Sequence, residues 1–241
     1  MRIRIRQRSS VTGETLHERL IHSLRLSLWI VEGLLVVLGL DFADDFQARA
    51  AEPDPTITAR VINYTAATPA TMAKAEYQAQ RILGEAGLHV IWLDCPRGQS
   101  AAITTDLCNQ SLKPTEIVLR VLSDHRQSGV QDDAFGFAVF PALASVYYEH
   151  AVGLARSEGA DFEVSTILAC VIAHEIGHLL LGSNSHSDTG IMQREWSRKQ
   201  VRQLMWGSLH FTPQQSKLIR AEGQMRMRLE SVQLRVSNST S

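Results

Sequence analysis

VSTILACVIAHEIGHLLL, residues 164–181, is a nearly unbroken apolar run that is followed directly by Gly182. Its length and composition predict a buried helix, and glycine is the usual residue just past a helix end. His174 and His178 are four residues apart, so on a helix they lie on one face, one turn from each other. Two imidazoles placed in this way can bind one metal ion, and Glu175 can accept a proton from a metal-bound water. The run therefore predicts an active-site helix; a structural helix with buried histidines is the alternative, and it predicts no metal.

A third metal ligand is expected after this helix, because catalytic zinc takes three protein ligands and keeps a fourth position open. His186 is the nearest imidazole and lies in a Ser/Asn-rich segment, where it could instead be a solvated loop residue. Glu195 and Asp188 stay open as alternative ligands, since carboxylates also bind zinc. Cys170 precedes His174 by one turn and is interpreted as a small buried apolar residue.

The segment HEIGHLLLGSNSHSDTGIM, residues 174–192, resembles the metzincin branch of the zinc metallopeptidases. The resemblance implies three zinc ligands, a general base and a turn methionine beneath the metal. These residues would be His174, His178 and His186 as ligands, Glu175 as the base, and Met192 in the turn.

The spacing departs from the metzincin pattern, which usually reads HExxHxxGxxH, whereas this chain reads HExxHxxxGxxxH. Gly182 comes one position late and His186 two positions late. A loop can absorb two residues, since each adds up to about 3.3 Å of reach. The competing gluzincin arrangement takes a glutamate from a second helix, and Glu195 would be that residue.

The function implied by the motif and the resemblance is zinc-dependent peptide-bond hydrolysis by a metalloendopeptidase. Glu175 would accept a proton from the attacking water and pass it to the leaving amine. The partner would be a peptide or protein substrate. Three alternatives stay open: a gluzincin-type peptidase, an exported zinc-binding protein without catalysis, and an intramembrane metalloprotease. The last needs several membrane spans, and besides the motif helix the chain has only one other hydrophobic run.

The composition of the chain is that of a soluble globular protein. The chain has 241 residues, of which 44% are hydrophobic and 20% charged, which suits one soluble domain preceded by a leader. Its 24 basic residues are balanced by 25 acidic ones. There is accordingly no bulk electrostatic argument for nucleic-acid binding.

The N-terminal 50 residues have the pattern of a signal peptide or a retained membrane anchor. Arginines at positions 2, 4, 6 and 8 precede a mostly apolar stretch, residues 26–40, and Ala48-Arg49-Ala50 has the form of a cleavage site. A secreted or periplasmic protein is expected, with membrane contact only through this segment if it is uncleaved. A disulfide between Cys95 and Cys108 fits such an oxidising compartment.

Residues 51–241 are predicted to form one catalytic domain of alternating strands and helices. The predicted strands are Thr56–Tyr64, Leu88–Leu93, Ile117–Leu122, Phe135–Phe140 and Leu143–Tyr148. The predicted helices run from Thr68-Pro69 to about Ala86, from about Asp161 to Leu181, from Glu195 to Met205 and from Pro213 to Leu229.

The expected fold class is α+β, and the resemblance implies a zincin-like domain. This domain would have a mixed, mostly parallel twisted sheet, the active-site helix and a small helical C-terminal subdomain. By the same resemblance, residues 135–140 would form an antiparallel edge strand above the cleft and pair with an extended substrate; an ordinary core strand rich in phenylalanine is the alternative.

Overall fold

The computed structural model describes residues 3–4, 53–96, 105–124, 134–158, 163–182 and 185–239. Apart from residues 3–4, the predicted leader 1–50 lies outside these residues. The chain divides into a unit of residues 1–9 with 54–241 and a second unit of residues 10–53. Every helix and strand below belongs to the first unit, which is a mixed α/β fold with a mostly parallel sheet.

The elements follow one another along the chain as seven strands and six helices in the described residues. The strands are β1 (Ile3–Arg4), β2 (Thr56–Asn63), β3 (His89–Asp94), β4 (Glu116–Leu122), β5 (Gly136–Val139), β6 (Leu143–Tyr147) and β7 (Glu195–Trp196). The helices are α1 (Pro69–Glu85), α2 (Thr105–Asn109), α3 (Tyr148–Glu158), α4 (Val164–Leu181), α5 (Arg198–Met205) and α6 (Pro213–Ser239).

The main sheet has five strands in the order β3-β2-β4-β6-β5. The first four are parallel, and β5 runs antiparallel to β6 at the end of the sheet. The expected edge strand therefore has the predicted place and direction. A separate two-stranded pairing joins β1 to β7 antiparallel.

Helix α4 forms the centre of the hydrophobic core, where it packs against α1, α3, α6, β5 and β6. Ile167, Leu168 and Ile172 are fully buried. In the described part of the chain, α4 alone is long and apolar enough to span a membrane, and 83% of it is buried within the fold. Packing on several sides accounts for a helix that is apolar all round, because each face needs an apolar partner.

The five predicted strands and the helices α1 and α4 are confirmed with small shifts at their ends. The bounds of two other predicted helices were wrong. The helix expected from Glu195 begins at Arg198, because Ser197 caps it and Glu195–Trp196 pairs as β7. Helix α6 continues ten residues beyond Leu229, since no glycine or proline stops it there.

The sequence analysis also missed the short elements β1, β7 and α2, and the longer helix α3. Helix α3 begins at Tyr148, directly after β6, so no turn signal separates strand from helix. Its buried residues are Ala151, Leu154 and Ala155, and two of these are alanines. Such a narrow stripe of mostly small residues is a weak periodic signal.

The predicted disulfide is present between Cys95 and Cys108. The two cysteines are 13 residues apart in sequence. Nearby, Arg60 is buried, and its guanidinium donates hydrogen bonds to the carbonyls of Cys108 and Gln110. The same guanidinium pairs with the Glu116 carboxylate at 2.5 Å. The loop is therefore attached to the sheet both covalently and through a buried charge.

Removing the disulfide by the double substitution Cys95→Ala and Cys108→Ala is expected to lower the free energy of unfolding by about 3 kcal/mol. The cross-link reduces the entropy of the unfolded chain, and this stabilisation is lost in the variant. Urea unfolding of the variant beside wild type measures the difference. Wild type unfolded in the presence of reductant is the control and should match the variant; equal stability of oxidised wild type and variant would contradict the prediction.

Candidate metal centre

Three histidines meet at one point beside α4. His174 and His178 are buried on one face of the helix, and Gly182 ends the helix with a φ of +80°, a left-handed value that favours glycine. The chain then turns back and brings in His186. One nitrogen from each of the three rings lies within 4.8 Å of the other two, and no other described cluster of His, Cys, Asp or Glu could hold a metal ion.

Hydrogen bonds on the far side of each ring orient the two helical histidines. His174 Nδ1 lies 2.8 Å from the carbonyl of Ile191, which also accepts a bond of 3.1 Å from Trp196 Nε1. His178 Nδ1 lies 2.7 Å from Ser185 Oγ. When each Nδ1 is the donor, each Nε2 carries a free lone pair, which is the tautomer that metal binding requires.

The donor set fits zinc. The Nε2 atoms of His174 and His178 are 3.0 Å apart, close to the roughly 3.3 Å that tetrahedral ligands at 2.0–2.1 Å from zinc would show. His186 Nε2 is buried without a hydrogen-bond partner. A buried polar atom without a partner is costly, and a metal ion would satisfy it.

The three imidazoles are neutral at neutral pH. Burial lowers the pKa of His174 to about 3. Burial and the neighbouring His174 and His186 lower the pKa of His178 to about 2. Burial, followed by the positive charge of Arg194, lowers the pKa of His186 to about 4. All three rings can therefore offer a lone pair without first losing a proton.

Glu175 is fully buried beside the histidines, and neither of its carboxyl oxygens has a hydrogen-bond partner. Burial raises the pKa of this carboxyl well above its usual value. A divalent cation nearby would lower the pKa again, because a positive charge favours the carboxylate. A buried carboxyl with a perturbed pKa is a candidate for a group that exchanges protons.

Gly136 makes room for Glu175. A Cβ at this position would lie 2.9 Å from Glu175 Oε1 and 2.6 Å from the carbonyl oxygen of Ser145. Both approaches are shorter than real Cβ contacts, so any side chain here would displace the carboxyl or the strand. The start of β5 and the carboxyl are consequently in direct contact.

Met192 lies beneath α4 and is fully buried. A Cβ at Gly177 would come within 2.7 Å of Met192 Sδ and 2.8 Å of the Phe211 ring, so the helix approaches this floor closely. The turn before it contains Gly190, whose φ is +77°. The histidine cluster therefore has a closely packed floor that holds α4 in place.

The other sequence candidates lie apart from the histidine cluster. Glu195 lies in β7, where it pairs with Arg4 of β1. Neither Glu195 nor Asp188 belongs to the histidine cluster. Cys170 is buried in the core, and burial raises the pKa of its thiol to about 12, in keeping with the structural interpretation. Tyr147 is buried against the rings of Phe137 and His150.

Sequence reasoning did not identify Ser185, the Ile191 carbonyl or Gly136 as parts of the site. A serine next to His186 in a Ser/Asn-rich segment is no signal by itself. A backbone carbonyl leaves no trace in the sequence at all. An isolated glycine inside a strand pattern does indicate a close approach of another group, so Gly136 could have been found.

Replacing Ser185 with Ala is expected to weaken zinc binding by about 10–100-fold, the usual cost of losing a partner that orients a metal-binding histidine. The dissociation constant, measured by competition with a chromophoric chelator, tests this. Ser187→Ala, two residues away and without a bond to a histidine ring, is the matched control. Unchanged affinity in Ser185→Ala would show that the hydrogen bond to His178 is dispensable.

The fold and the cluster together define a mixed α/β protein with a candidate three-histidine metal centre. No protein-family model matches the chain, and no curated protein matches it. Among solved structures, the chain is similar to the crystal structure of archaemetzincin (amzA) from Methanopyrus kandleri. The two are 15% identical with a TM-score of 0.45, and the match covers 69% of this chain and 95% of that chain.

Proposed function

We propose that the chain is a zinc-dependent endopeptidase of the metzincin type. The observation that carries the proposal is the cluster of His174, His178 and His186 beside a buried carboxyl, Glu175, that has no hydrogen-bond partner. Three neutral imidazoles with an open fourth position are the donor set of a catalytic zinc site, whereas structural zinc sites are usually closed by four protein ligands.

His186 is proposed as the third ligand in preference to Glu195 and Asp188. Its Nε2 is buried without a hydrogen-bond partner and lies within reach of the two helical imidazoles. Neither carboxylate belongs to the cluster. One of the two extra residues in the motif precedes Gly182, and the other follows it.

The chain's own residues divide the chemistry between them. When bound, zinc would polarise the substrate carbonyl and lower the pKa of a water molecule. Glu175 takes the proton from the attacking water and delivers it to the leaving amine. The three imidazoles stay neutral throughout, and the Ile191 carbonyl and Ser185 hold two of them in orientation.

The free edge of β5 is proposed to hold the substrate. The amide of Tyr147 donates to the carbonyl of Phe135 at 2.8 Å, so residues at odd positions along β5 direct their amide and carbonyl groups towards β6. Gly136 and Ala138 then direct theirs away from the sheet, and no described strand pairs with that edge. A peptide added as a further strand would bond to these groups.

The protein is further proposed to be exported. A disulfide such as Cys95–Cys108 is stable in an oxidising compartment and rare in the cytosol. The sequence pattern of residues 1–50 agrees with a leader or an anchor.

The proposed function is tested by metal content and hydrolysis of the purified full chain. One zinc per chain by elemental analysis is expected, together with peptide cleavage that a chelator abolishes and added zinc restores. Zinc without cleavage of any peptide in a broad mixture would favour the non-catalytic zinc-binding alternative. A chain without zinc, even after supplementation, would show that the buried histidines are structural.

A further inference from the structure

Strand β5 is held against α4 at both of its ends. At its start, Gly136 is in contact with Glu175. Just past its other end, the carbonyl of Pro141 accepts a hydrogen bond of 3.0 Å from Arg226, which donates a second bond of 3.0 Å to the carbonyl of Leu179. The edge strand therefore runs along the helix from the proposed general base to the last helical turn.

Arg226 makes this second anchor rigid. Its side chain is only 6% exposed, and its Nε donates to Glu222 at 2.9 Å, one turn earlier on α6. A buried guanidinium held by three such hydrogen bonds is strongly destabilised if one partner is removed. The turn after β5 is thereby fixed in position by α6.

Two large apolar side chains are nevertheless exposed on this fixed segment. Val139 is 47% exposed and Phe140 is 65% exposed. Single exposed apolar residues are common on protein surfaces. Val139 ends β5 and Phe140 follows it, three and four residues after Gly136, which contacts Glu175. No described strand pairs with the outer edge of β5.

The register of the strand fixes which part of a bound peptide would meet them. Antiparallel pairing is slightly more stable per residue than parallel pairing, and β5 runs from Glu175 towards Phe140. An antiparallel peptide would thus enter at Phe140 with its N-terminal side and reach Glu175 opposite Gly136. At about 3.3 Å per residue, Val139 and Phe140 lie roughly 10–13 Å from that point.

Because successive side chains of a strand point to opposite faces, Val139 lies on the face away from Glu175. We infer that Phe140 forms an apolar subsite that selects extended peptides with a large apolar side chain three or four residues before the cleaved bond. The inference rests on the proposed peptidase function and deepens it. The subsite requires several residues before the scissile bond, so the enzyme acts within chains and discriminates against substrates that are short on their N-terminal side. Apolar contact in an exposed subsite gives selectivity of about tenfold.

The test maps cleavage sites in a degenerate peptide mixture by mass spectrometry, using the zinc-loaded full chain. Phe, Leu and related residues are expected to be enriched about tenfold at three or four positions before the cut. Phe140→Ala should remove the enrichment while zinc content stays at the wild-type level. Trp206→Ala, which removes a side chain that is 75% exposed on the loop after α5, is the matched control and should keep the enrichment.

The outcomes separate the subsite from the proposed function. Cleavage without apolar enrichment, or enrichment that survives in Phe140→Ala, would overturn the subsite and leave the peptidase standing. If wild type cleaves nothing, the proposed function fails. Peptide binding then tests whether the subsite exists. Fluorescently labelled ten-residue peptides that differ only in Phe or Lys would then be titrated against the chain. A preference for Phe that Phe140→Ala abolishes supports the subsite, and equal affinities overturn it.

Discussion

Replacing Glu175 with Gln is expected to reduce peptide hydrolysis by about 10²–10⁴-fold while one zinc per chain is retained. Gln fills the same volume and cannot accept a proton, so the change removes proton transfer and leaves the packing intact. The side chain is fully buried and touches Gly136, which leaves no space for a second group to take its place. Steady-state hydrolysis and elemental analysis on the same preparation measure the two quantities.

Glu195→Gln is the matched control for this substitution, since it makes the same chemical change outside the histidine cluster. It should keep both zinc and most of the activity. Full activity in Glu175→Gln would refute the proposed mechanism. Loss of zinc together with activity would instead assign Glu175 to the ligand set.

Replacing His186 with Ala is expected to weaken zinc binding by more than the 10–100-fold that losing an orienting partner costs. The substitution removes one of three donors and leaves only the two imidazoles of α4. At submicromolar free zinc, the purified variant should contain much less than one zinc per chain. Chelator competition measures the affinity, and circular dichroism checks that the fold is retained.

The comparison with Glu195→Ala and Asp188→Ala makes this result decisive between ligand arrangements. Both variants should bind zinc like wild type, because neither carboxylate belongs to the cluster. If Glu195→Ala loses zinc and His186→Ala keeps it, the site has the gluzincin arrangement. The proposal that His186 is the third ligand would then be wrong.

The order of these two effects also tests the interpretation of the buried site. Removing Glu175 should affect the rate and spare the metal, whereas removing His186 should affect the metal first and the rate as a consequence. Ser185→Ala should fall between wild type and His186→Ala in affinity. An affinity series in any other order would mean that the contacts around the rings, and not the rings themselves, dominate metal binding.

Much of the fold was predictable because its signals are local. The five main strands are short β-branched and apolar segments, and α1 and α4 follow helix-start and helix-stop residues within two or three positions of the prediction. The disulfide was predictable because Cys95 and Cys108 are close in sequence and flank one polar loop. Local signals failed where tertiary pairing competes with them, as when Glu195–Trp196 pairs with Ile3–Arg4 and does not begin a helix.

The sequence by itself determined the active-site helix, the face shared by His174 and His178, and the position of Glu175 beside them. These features depend on the 3.6-residue period and on residue type, both of which a sequence displays. Only the tertiary structure decided that the segment after Gly182 folds back to bring His186 into the cluster. It alone also placed Ser185 on a histidine ring and Gly136 against the carboxyl. The path of a loop and the approach of a distant strand depend on contacts between residues far apart in the chain, which no local period records.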